Sequence, residues 1–437
     1  MQYICSFAML LGCTVSTTLL AAEKPNIILI MADDLGMECV GCYGGLSYKT
    51  PHIDQLARDG MRFEYCFSCP YCSPTRAQIL TGRYPLHTGI TRVIFLPESH
   101  REFLDPKKET SFASLLKEAG YRTAIAGKWQ LSFLHERNTI PDFGFDEYQC
   151  WQIFEDGKKT SRYAEPTYLR NGKLLSNDLK GRYGPDVNCE FLIDFMRRNK
   201  ERPFLMYWTM LLPHFPYERT PDTGKINNAG KTPGKGPEYF DDMVAYLDKL
   251  VGRIVEAVEK EGLSDNTVII FTADNGTQSG KNIVSYWTDD EKTFGIPGGK
   301  AQLTDTGTHV PLIVRWPNKI KRNSLRKGLV DLSDILPTLA DLAGARLPKN
   351  PINGRSFAKQ LSGDAGNPRE YVHIQKLGDR YVRNKEFILT NRGDFRPVVP
   401  SGRHAAENIT RKLTAREAAA KEELEHALQR SQNFSTP

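Results

Sequence analysis

Short apolar runs alternate along this chain with amphipathic segments, and this alternation limits its possible folds more than any other feature. Five runs rich in β-branched or aromatic residues predict buried strands: NIILIM (26–31), TAIA (123–126), FLMYWTM (204–210), TVIIFT (267–272) and PLIVRW (311–316). Helical patterns cover 110–120, 187–199, 239–262 and 330–345. The pattern predicts an α/β fold with a large, mostly parallel central sheet flanked by helices.

The pattern of apolar and polar residues changes from about Pro351 onward. Short alternating segments, REYVHIQK, DRYVRN and EFILTN, predict a small antiparallel sheet, and residues 413–432 predict a helix after it. There is no low-complexity linker. We therefore predict a main domain over residues 23–345 and a small C-terminal subdomain over residues 346–437 that packs on it.

The N-terminal segment has no charged side chain before Glu23 and contains an apolar run broken by threonine and serine. It predicts a signal peptide over residues 1–22, and so export to the periplasm or the extracellular space, or a lysosomal or secreted protein in a eukaryote. An uncleaved membrane anchor and a lipoprotein signal ending at Cys13 are the alternatives. No later segment is apolar and long enough to span a bilayer, so no stable membrane span is expected after signal removal.

The charge balance gives little sign of a nucleic-acid partner. The chain has 58 basic and 52 acidic residues, a formal net charge of +6, and the basic residues are scattered without long runs. A nucleic-acid-binding protein normally concentrates such charge in a patch or stripe. We therefore expect no nucleic acid as partner and only a mild preference for anions.

Polar residues follow four of the predicted strands. The strands lead into Asp33-Asp34, Gly127-Lys128, His214 and Asp274-Asn275. Taken singly, each pair is better explained by a turn or a helix cap. Sites in open α/β sheets collect beyond the carboxyl ends of the strands, so together these residues predict one site. Three carboxylates and an amide oxygen suit Ca²⁺ or Mg²⁺, and lysines beside them imply chemistry on an anion.

Seven cysteines remain after removal of a signal peptide: Cys39, Cys42, Cys66, Cys69, Cys72, Cys150 and Cys189. An odd number leaves one thiol without a disulfide partner. Cys72 stands out because Ser73, Pro74 and Gly82 predict a short helix with Ser73 as N-cap, which puts Cys72 just before the helix N-terminus. A zinc site of Cys39, Cys42, Cys66 and Cys69, or a disulfide among the other six cysteines, remains as an alternative use of the thiols.

The segment CSPTRAQILTG (72–82) resembles the signature of the type I sulfatases, which belong to the alkaline phosphatase-like superfamily. The landmarks around it stand in that family's order, from about Pro25 to Gly344: NIILIMADDLG, CYGG, TPHIDQLARDGMRF, TGRYPLHTGI, AGKWQL, PHFP, FTADNG, GGK and GTHVPLIVRWP. The resemblance implies an alkaline phosphatase-like fold and a sulfuric ester hydrolase, most plausibly one that acts on a sulfated carbohydrate.

The resemblance also implies roles for individual residues. Cys72 would be oxidised by a formylglycine-generating maturation enzyme, and the hydrated aldehyde would be the nucleophile. One Ca²⁺ per chain would be bound by that side chain at position 72 and by Asp33, Asp34, Asp274 and Asn275. Arg76 would steady the formylglycine, Lys128 and Lys300 would hold the sulfate oxygens, and His214 would lie near the leaving oxygen.

One residue departs from the family's pattern. Most members have histidine in G-K-W-H-L-G as a base for the second half of the reaction, whereas this chain has Gln130. A neutral amide is not a base near pH 7, and the loss of a general base typically lowers the rate by about 10²- to 10⁴-fold. His309 or His135 could substitute for it, although a packing or surface role is the better explanation for each of these histidines.

Three hypotheses for function remain open at this point. The first is a formylglycine-dependent, Ca²⁺-containing sulfatase. The second is a phosphoesterase or phosphonate hydrolase of the same superfamily. The third is a catalytically impaired binder of sulfated glycans, and it is motivated by Gln130 alone.

Overall fold

The computed structural model describes residues 24–94, 102–155, 157–224, 237–280, 283–288, 292–399 and 407–432. The predicted signal peptide over residues 1–22 lies outside these residues. Within them, the structure contains no helix with the length and apolar character needed to cross a membrane.

The strands are β1 (Asn26–Ala32), β2 (Met61–Phe67), β3 (Arg122–Gly127), β4 (Glu147–Trp151), β5 (Phe154–Glu155), β6 (Lys158–Lys159), β7 (Tyr168–Arg170), β8 (Lys173–Leu175), β9 (Phe204–Thr209), β10 (Thr267–Ala273), β11 (Val284–Thr288), β12 (Thr293–Pro297), β13 (Leu312–Arg315), β14 (Ser324–Asp331), β15 (Val372–Lys376), β16 (Asp379–Arg383), β17 (Phe387–Thr390) and β18 (Phe395–Pro397). The α-helices are α1 (Pro51–Asp59), α2 (Cys72–Thr81), α3 (Pro85–Thr88), α4 (Phe112–Glu118), α5 (Gly184–Asn199), α6 (Phe240–Lys260), α7 (Asp305–Thr308), α8 (Ile335–Ala343), α9 (Ala358–Leu361) and α10 (Ala415–Gln432).

The central sheet has ten strands in the order β14-β2-β13-β10-β1-β9-β3-β4-β7-β8. Strands β10, β1, β9, β3 and β4 run parallel, and β13 turns antiparallel to β10. Every residue of β1, β9 and β10 is buried, because both faces of the sheet are covered. This explains their continuous apolar sequences and confirms the predicted mostly parallel sheet.

Two groups of helices pack on this sheet. Helices α1 and α5 each contact α6, and α2, α4 and α8 form a second group. The predicted helix over 330–345 was wrong at its start, because Val330 and Asp331 end strand β14 and α8 begins only at Ile335. The Asp331 side chain accepts a hydrogen bond from the Ser333 backbone N–H and forms a capping box with Asp334, which starts a 3-10 turn before α8.

The small sheet consists of β15, β16, β17 and β18, all antiparallel. Helix α10 packs on it through Leu424 and Ala427, which contact Val382 and Leu389. Residues of β15 and β16 form a second apolar cluster with residues of β2 and β14 in the central sheet. The predicted small antiparallel sheet with its helix is confirmed, and it lies against the main sheet. The domain division at residue 345 stays a proposal.

Hydrogen bonds between neighbouring parallel strands continue past their carboxyl ends. The backbone N–H of Asp33 donates to Leu212, that of Asp274 donates to Ala32, and that of Lys128 donates to Thr209. The residues after β1, β3, β9 and β10 are therefore held together at one rim of the sheet, as sites in open α/β sheets are.

Candidate active site

Three buried carboxylates form the centre of this rim. Asp33, Asp34 and Asp274 are each fully buried. Asp34 has a φ of 68°, in the left-handed region, and its backbone N–H donates to Asp274 Oδ1 at 3.1 Å. Non-glycine residues in that region are strained and concentrate at functional sites. In this backbone conformation, Asp34 lies at the same buried centre as Asp33.

Each carboxylate has a cationic partner. Lys128 Nζ lies 2.9 and 2.8 Å from the two oxygens of Asp33, Lys300 Nζ lies 2.5 Å from Asp34 Oδ1, and Arg76 Nη2 lies 2.7 Å from Asp274 Oδ2. Burial acts to raise the pKa of Asp33, but the positive charges of Lys128, Arg76 and Lys300 together hold it well below its ordinary value. Three anions and three cations leave the cluster formally neutral.

Burial and nearby charges also shift the pKa values of the other titratable groups in the cluster. Burial, assisted by the charge of Asp33, raises the pKa of Asp274 to about 6. Burial acts to lower the pKa of Lys300, but the attraction of Asp34 outweighs it and raises that pKa. Burial and the nearby charge of Lys300 hold the pKa of His214 well below its ordinary value. His214 is therefore neutral in this cluster, and Lys300 is charged.

The arrangement fits a hard cation. One ligand atom from each of Asp33, Asp34, Cys72 and His214 lies within 4.8 Å of the others. Asp34 Oδ2 and Asn275 Oδ1 are buried and have no hydrogen-bond partner within the described ranges. Unsatisfied buried oxygens are costly, and a bound divalent cation would satisfy both. Asp274 lies against this group, and its two oxygens accept from Asp34 and Arg76.

Cys72 is the first residue of α2 and is only 2% exposed. Its Sγ donates to Asp33 Oδ1 at 3.6 Å. Burial, helped by the negative charge of Asp274, raises the pKa of the Cys72 thiol to about 12. The unmodified side chain is therefore a protonated thiol near pH 7 and a weak nucleophile, since only thiolate attacks well.

The prediction that Ser73 caps α2 is wrong. The helix starts two residues earlier, with Tyr71 as N-cap, and Ser73 Oγ donates to the Gln130 carbonyl and accepts from the backbone N–H of Ile94, both at 2.9 Å. A tertiary contact therefore uses the hydroxyl that sequence propensity assigned to the cap. Gly82 does end the helix, with a φ of 68° that suits glycine.

Arg76 joins α2 to two of the strand ends. Its side chain is 2% exposed, and Nη1 donates to the Lys128 carbonyl at 2.8 Å while Nη2 binds Asp274. Bidentate use of one planar guanidinium fixes the helix N-terminus relative to both loops. The predicted site residues thus surround one buried centre: Cys72, Arg76, Lys128, His214, Lys300, Asp33, Asp34, Asp274 and Asn275.

Gln130 lies at the same rim and also has a left-handed backbone, with a φ of 54°. Its side chain is buried, and Oε1 has no hydrogen-bond partner among the residues that the structure describes. His309 is engaged elsewhere, since its Nε2 lies 2.8 Å from the Glu64 carbonyl and its ring stacks on Phe67. His135 is exposed and lies 3.4 Å from Glu136. Both histidines therefore have partners away from the carboxylate cluster.

The cysteine alternatives are absent from the described residues. The seven cysteines from Cys39 to Cys189 are unpaired. Cys39 Sγ lies within hydrogen-bond distance of Thr277 and Ser285, and Cys69 Sγ donates to Gln78 Oε1 at 2.9 Å. These thiols bond to side chains in different parts of the fold, so the described residues hold no disulfide and no four-cysteine site.

Arg162 is a site residue that the sequence analysis missed. It is 6% exposed, its guanidinium lies 4.2 Å from the ring centre of Trp151, and Nη1 lies 2.8 Å from His214 Nδ1. A guanidinium can only donate, so it favours the His214 tautomer with its proton on Nε2. The Phe215 carbonyl, 2.5 Å from the same Nδ1, favours the opposite tautomer. We assign the proton to Nε2 because the charge-assisted bond is the stronger one.

A family model described as "Sulfatase" matches residues 25–345. Arylsulfatase A of Homo sapiens is 31% identical over 402 residues, covering 86% of this chain and 75% of the relative. Steryl-sulfatase of Mus musculus is 30% identical over 428 residues, covering 79% of this chain and 66% of the relative. The structure of BT4656 in complex with its substrate, D-glucosamine-2-N,6-O-disulfate, has a TM-score of 0.70 and 22% identity, and the match covers 94% of this chain and 98% of the BT4656 chain.

Proposed function

The chain belongs to the sulfatase family, an enzyme family of the alkaline phosphatase-like superfamily, and from this premise we propose that it hydrolyses a sulfated carbohydrate and releases inorganic sulfate. The nucleophile is a formylglycine made from Cys72, and the site holds one Ca²⁺. The observation that carries the proposal is the pair of unsatisfied buried oxygens, Asp34 Oδ2 and Asn275 Oδ1, in a charge-balanced cluster around Cys72.

The charge balance supports a cation-dependent anion site. Without an ion, Asp33, Asp34 and Asp274 are neutralised by three cationic side chains. Asp33, Asp34, Asp274 and Asn275 would hold the Ca²⁺, which supplies positive charge for the sulfate oxygens and for the nucleophile at residue 72. The site then carries an excess of positive charge and attracts an anion such as a sulfate monoester.

The chain's own residues have distinct parts in this reaction. Lys128 and Lys300 bind the sulfate oxygens and compensate the charge that develops on them. His214 lies 3.6 Å from Asp34 with Nε2 facing the cluster, where its neutral imidazole donates a hydrogen bond to the departing alcohol oxygen, and the charged Lys300 supplies the proton to that oxygen. Arg76 holds residue 72 in place through its bonds to Asp274 and to the Lys128 carbonyl.

The pKa of Cys72 supports its conversion. A buried thiol with a pKa of about 12 does not attack a sulfate ester at neutral pH. The proposal therefore includes a formylglycine-generating enzyme as a partner of the chain. Export is proposed with it, from the pattern of residues 1–22.

The carbohydrate substrate is supported by BT4656, whose substrate is a disulfated glucosamine. The steryl-sulfatase relative is named for another alcohol, so the substrates tested should include both kinds. We would produce the chain together with a formylglycine-generating enzyme and measure sulfate release from sulfated mono- and oligosaccharides, a steroid sulfate and an aryl sulfate, with the aryl phosphate of the same leaving group as a control.

The expected result is sulfate release that is fastest from a sulfated sugar, a residue-72 peptide with the mass of formylglycine, and loss of at least about 10³-fold in kcat in Cys72→Ala. Faster hydrolysis of the phosphate would favour the phosphoesterase hypothesis. An unmodified thiol in protein from the native host, with binding but no turnover of sulfated sugars, would favour the glycan binder.

A further inference from the structure

A second cavity lies beside the candidate active site. It has a volume of about 770 Å³, and its walls come from the loop at residues 37–46, strands β2 and β14, the β11–β12 hairpin, α7 and the small C-terminal sheet. Ligand pockets typically measure about 300–1,000 Å³. The cavity therefore has the size of a ligand site.

The wall between this cavity and the active site is thin. Glu38 and Thr306 line the cavity. Behind Glu38, Thr277 Oγ1 donates to Glu38 Oε1 at 2.6 Å, and Thr277 lies two residues after Asn275. The carbonyl of Thr306 packs so closely on Gly276 that a Cβ there would lie 1.9 Å from it. None of the proposed catalytic or Ca²⁺-binding residues lines the cavity, which makes it a separate compartment.

The lining carries cations that the protein does not neutralise. Two of them are paired, Arg383 with Asp305, and Lys327 with Glu64 at 3.8 Å. The other two, Arg62 and Lys385, have no carboxylate within ion-pair distance in the part of the chain that the structure describes. Because Glu38 also lines the cavity, the lining carries four cationic and three acidic side chains, and this surplus of one cation favours an anionic ligand.

Aromatic rings stand next to the two unpaired cations. The guanidinium of Arg62 donates to the Cys42 carbonyl and lies 5.2 Å from the ring centre of Tyr43. Lys385 Nζ lies 5.8 Å from the ring centre of Tyr65. Trp287 completes this aromatic lining, and its Nε1 is anchored to the Tyr43 carbonyl at 2.6 Å. Aromatic rings offer apolar faces to the faces of a sugar, and the cations offer charge-assisted hydrogen bonds to its anionic groups.

An irregularity in the sheet lies at the wall of this cavity. The pairing of β14 with β2 shifts register between Arg326 and Leu329, opposite Glu64. Such bulges re-aim side chains and are frequent next to binding sites. The shift leaves Glu64 and Lys327 as an ion pair at the cavity wall, where the regular ladder is interrupted.

We propose that this cavity binds an anionic saccharide, with Arg62 and Lys385 contacting its anionic groups and Tyr65 and Trp287 contacting its ring. The choice of a saccharide rests on the proposed function, whereas the anionic character rests on the lining alone. The saccharide is either a distal unit of a long substrate or a separate anionic sugar.

The test uses the Cys72→Ala protein, so that binding is measured without turnover. We would titrate a sulfated hexasaccharide and a sulfated monosaccharide by calorimetry into this protein and into versions that also carry Arg62→Gln or Lys385→Gln. Each added substitution is expected to weaken hexasaccharide binding about tenfold, the typical effect of losing one charge-assisted contact. Lys260→Gln, an exposed lysine at the end of α6, removes the same charge and is expected to change the affinity less than about twofold.

Two further measurements distinguish a distal substrate unit from a separate sugar and exclude misfolding as the cause of weaker binding. For a distal substrate unit, Arg62→Gln and Lys385→Gln in matured protein raise KM for a long sulfated substrate and leave aryl sulfate kinetics unchanged. For a separate sugar, they weaken monosaccharide binding and leave both KM values unchanged. Arg62→Lys keeps the charge and is expected to restore most of the binding, which a folding defect would not allow.

The proposal would be overturned if Arg62→Gln and Lys385→Gln both left the affinity for both saccharides unchanged. It would also be overturned if Lys260→Gln weakened binding as much as they do. Neither result depends on hydrolysis. A matured wild-type protein that releases no sulfate would contradict the proposed function and leave this binding measurement valid.

Discussion

Two buried ionic clusters in this molecule have similar composition and opposite hydrogen-bond status. The candidate active site contains Asp33, Asp34 and Asp274 with three cations, and Asp34 Oδ2 and Asn275 Oδ1 have no hydrogen-bond partner within the described ranges. The second cluster lies beside α2 and α8 and consists of Arg369, Asp331 and Asp334.

In the second cluster every carboxylate oxygen is satisfied. Asp334 accepts from Arg369 and from the backbone N–H groups of Asp331 and Arg355, while Asp331 accepts from Gln78, Ser333 and Tyr84. Arg369 also donates to the Tyr84 hydroxyl and the Asn353 carbonyl. This cluster joins the C-terminal part to the main sheet and needs nothing further. Unsatisfied oxygens, more than buried charge, therefore distinguish the site that requires a ligand.

Arg369→Met is expected to have the largest effect on stability. It leaves two buried carboxylates without their cation, and breaking such a pair typically costs about 3–5 kcal/mol of unfolding free energy. Urea denaturation measures the change. Arg315→Met is the matched control, because Arg315 is also buried but its partner Glu259 is half exposed, and it should cost clearly less. If Arg369→Met lowers the unfolding free energy no more than Arg315→Met does, the cluster around Arg369 is not more important for stability than the ion pair of Arg315.

Asn275→Ala tests the unsatisfied oxygens. In wild-type protein, Ca²⁺ at about 100 times its Kd is expected to raise the unfolding free energy by about 2.7 kcal/mol. The variant loses a proposed Ca²⁺ ligand, so it should lose most of this increment and be rescued by a higher Ca²⁺ concentration. Thermal denaturation with Ca²⁺ and with a chelator measures both. Equal Ca²⁺ stabilisation of the variant and the wild type would remove Asn275 from the ion site.

Gln130→His concerns the third unsatisfied atom at the rim, Gln130 Oε1, and is expected to have the smallest effect of the three. An imidazole there would supply a general base, and kcat for an aryl sulfate should rise about tenfold to a hundredfold. Histidine tolerates the left-handed backbone at this position better than most residues. Gln130→Asn serves as the control without a base. If kcat is the same in all three proteins, the departure from the family's pattern does not limit turnover.

Much of the central sheet was predictable because its middle strands are buried on both faces. β1, β3, β9 and β10 have continuous apolar sequences, and local pattern alone identified them. Strand β2 was missed because buried and half-buried residues alternate along much of it. Strand β14, at the sheet edge, has exposed and half-buried residues in its first part, and its end was assigned to a helix. Strands at the margin of a sheet depend on their neighbours for their conformation.

The positions of the site residues follow from the same local rule. Each polar residue comes directly after or close behind a buried parallel strand, so the chain sequence alone was enough to bring Asp33, Lys128, His214 and Asp274 to one rim. The resemblance to the type I sulfatases added Arg76 and Lys300, and it gave Cys72 its role as the precursor of the nucleophile.

Contacts between distant segments could be found only in the folded chain. Arg162 contacts His214, which lies 52 residues away in the sequence. The Ser73 hydroxyl forms hydrogen bonds with the backbone of Gln130 and Ile94 and does not cap its own helix. The charge balance of the site, its two unsatisfied oxygens and the second cavity also depend on side chains from separate elements. Local sequence determines which residues end each strand, because strand burial is a short-range pattern. Tertiary packing decides which polar atoms find partners, because those partners lie far apart along the chain.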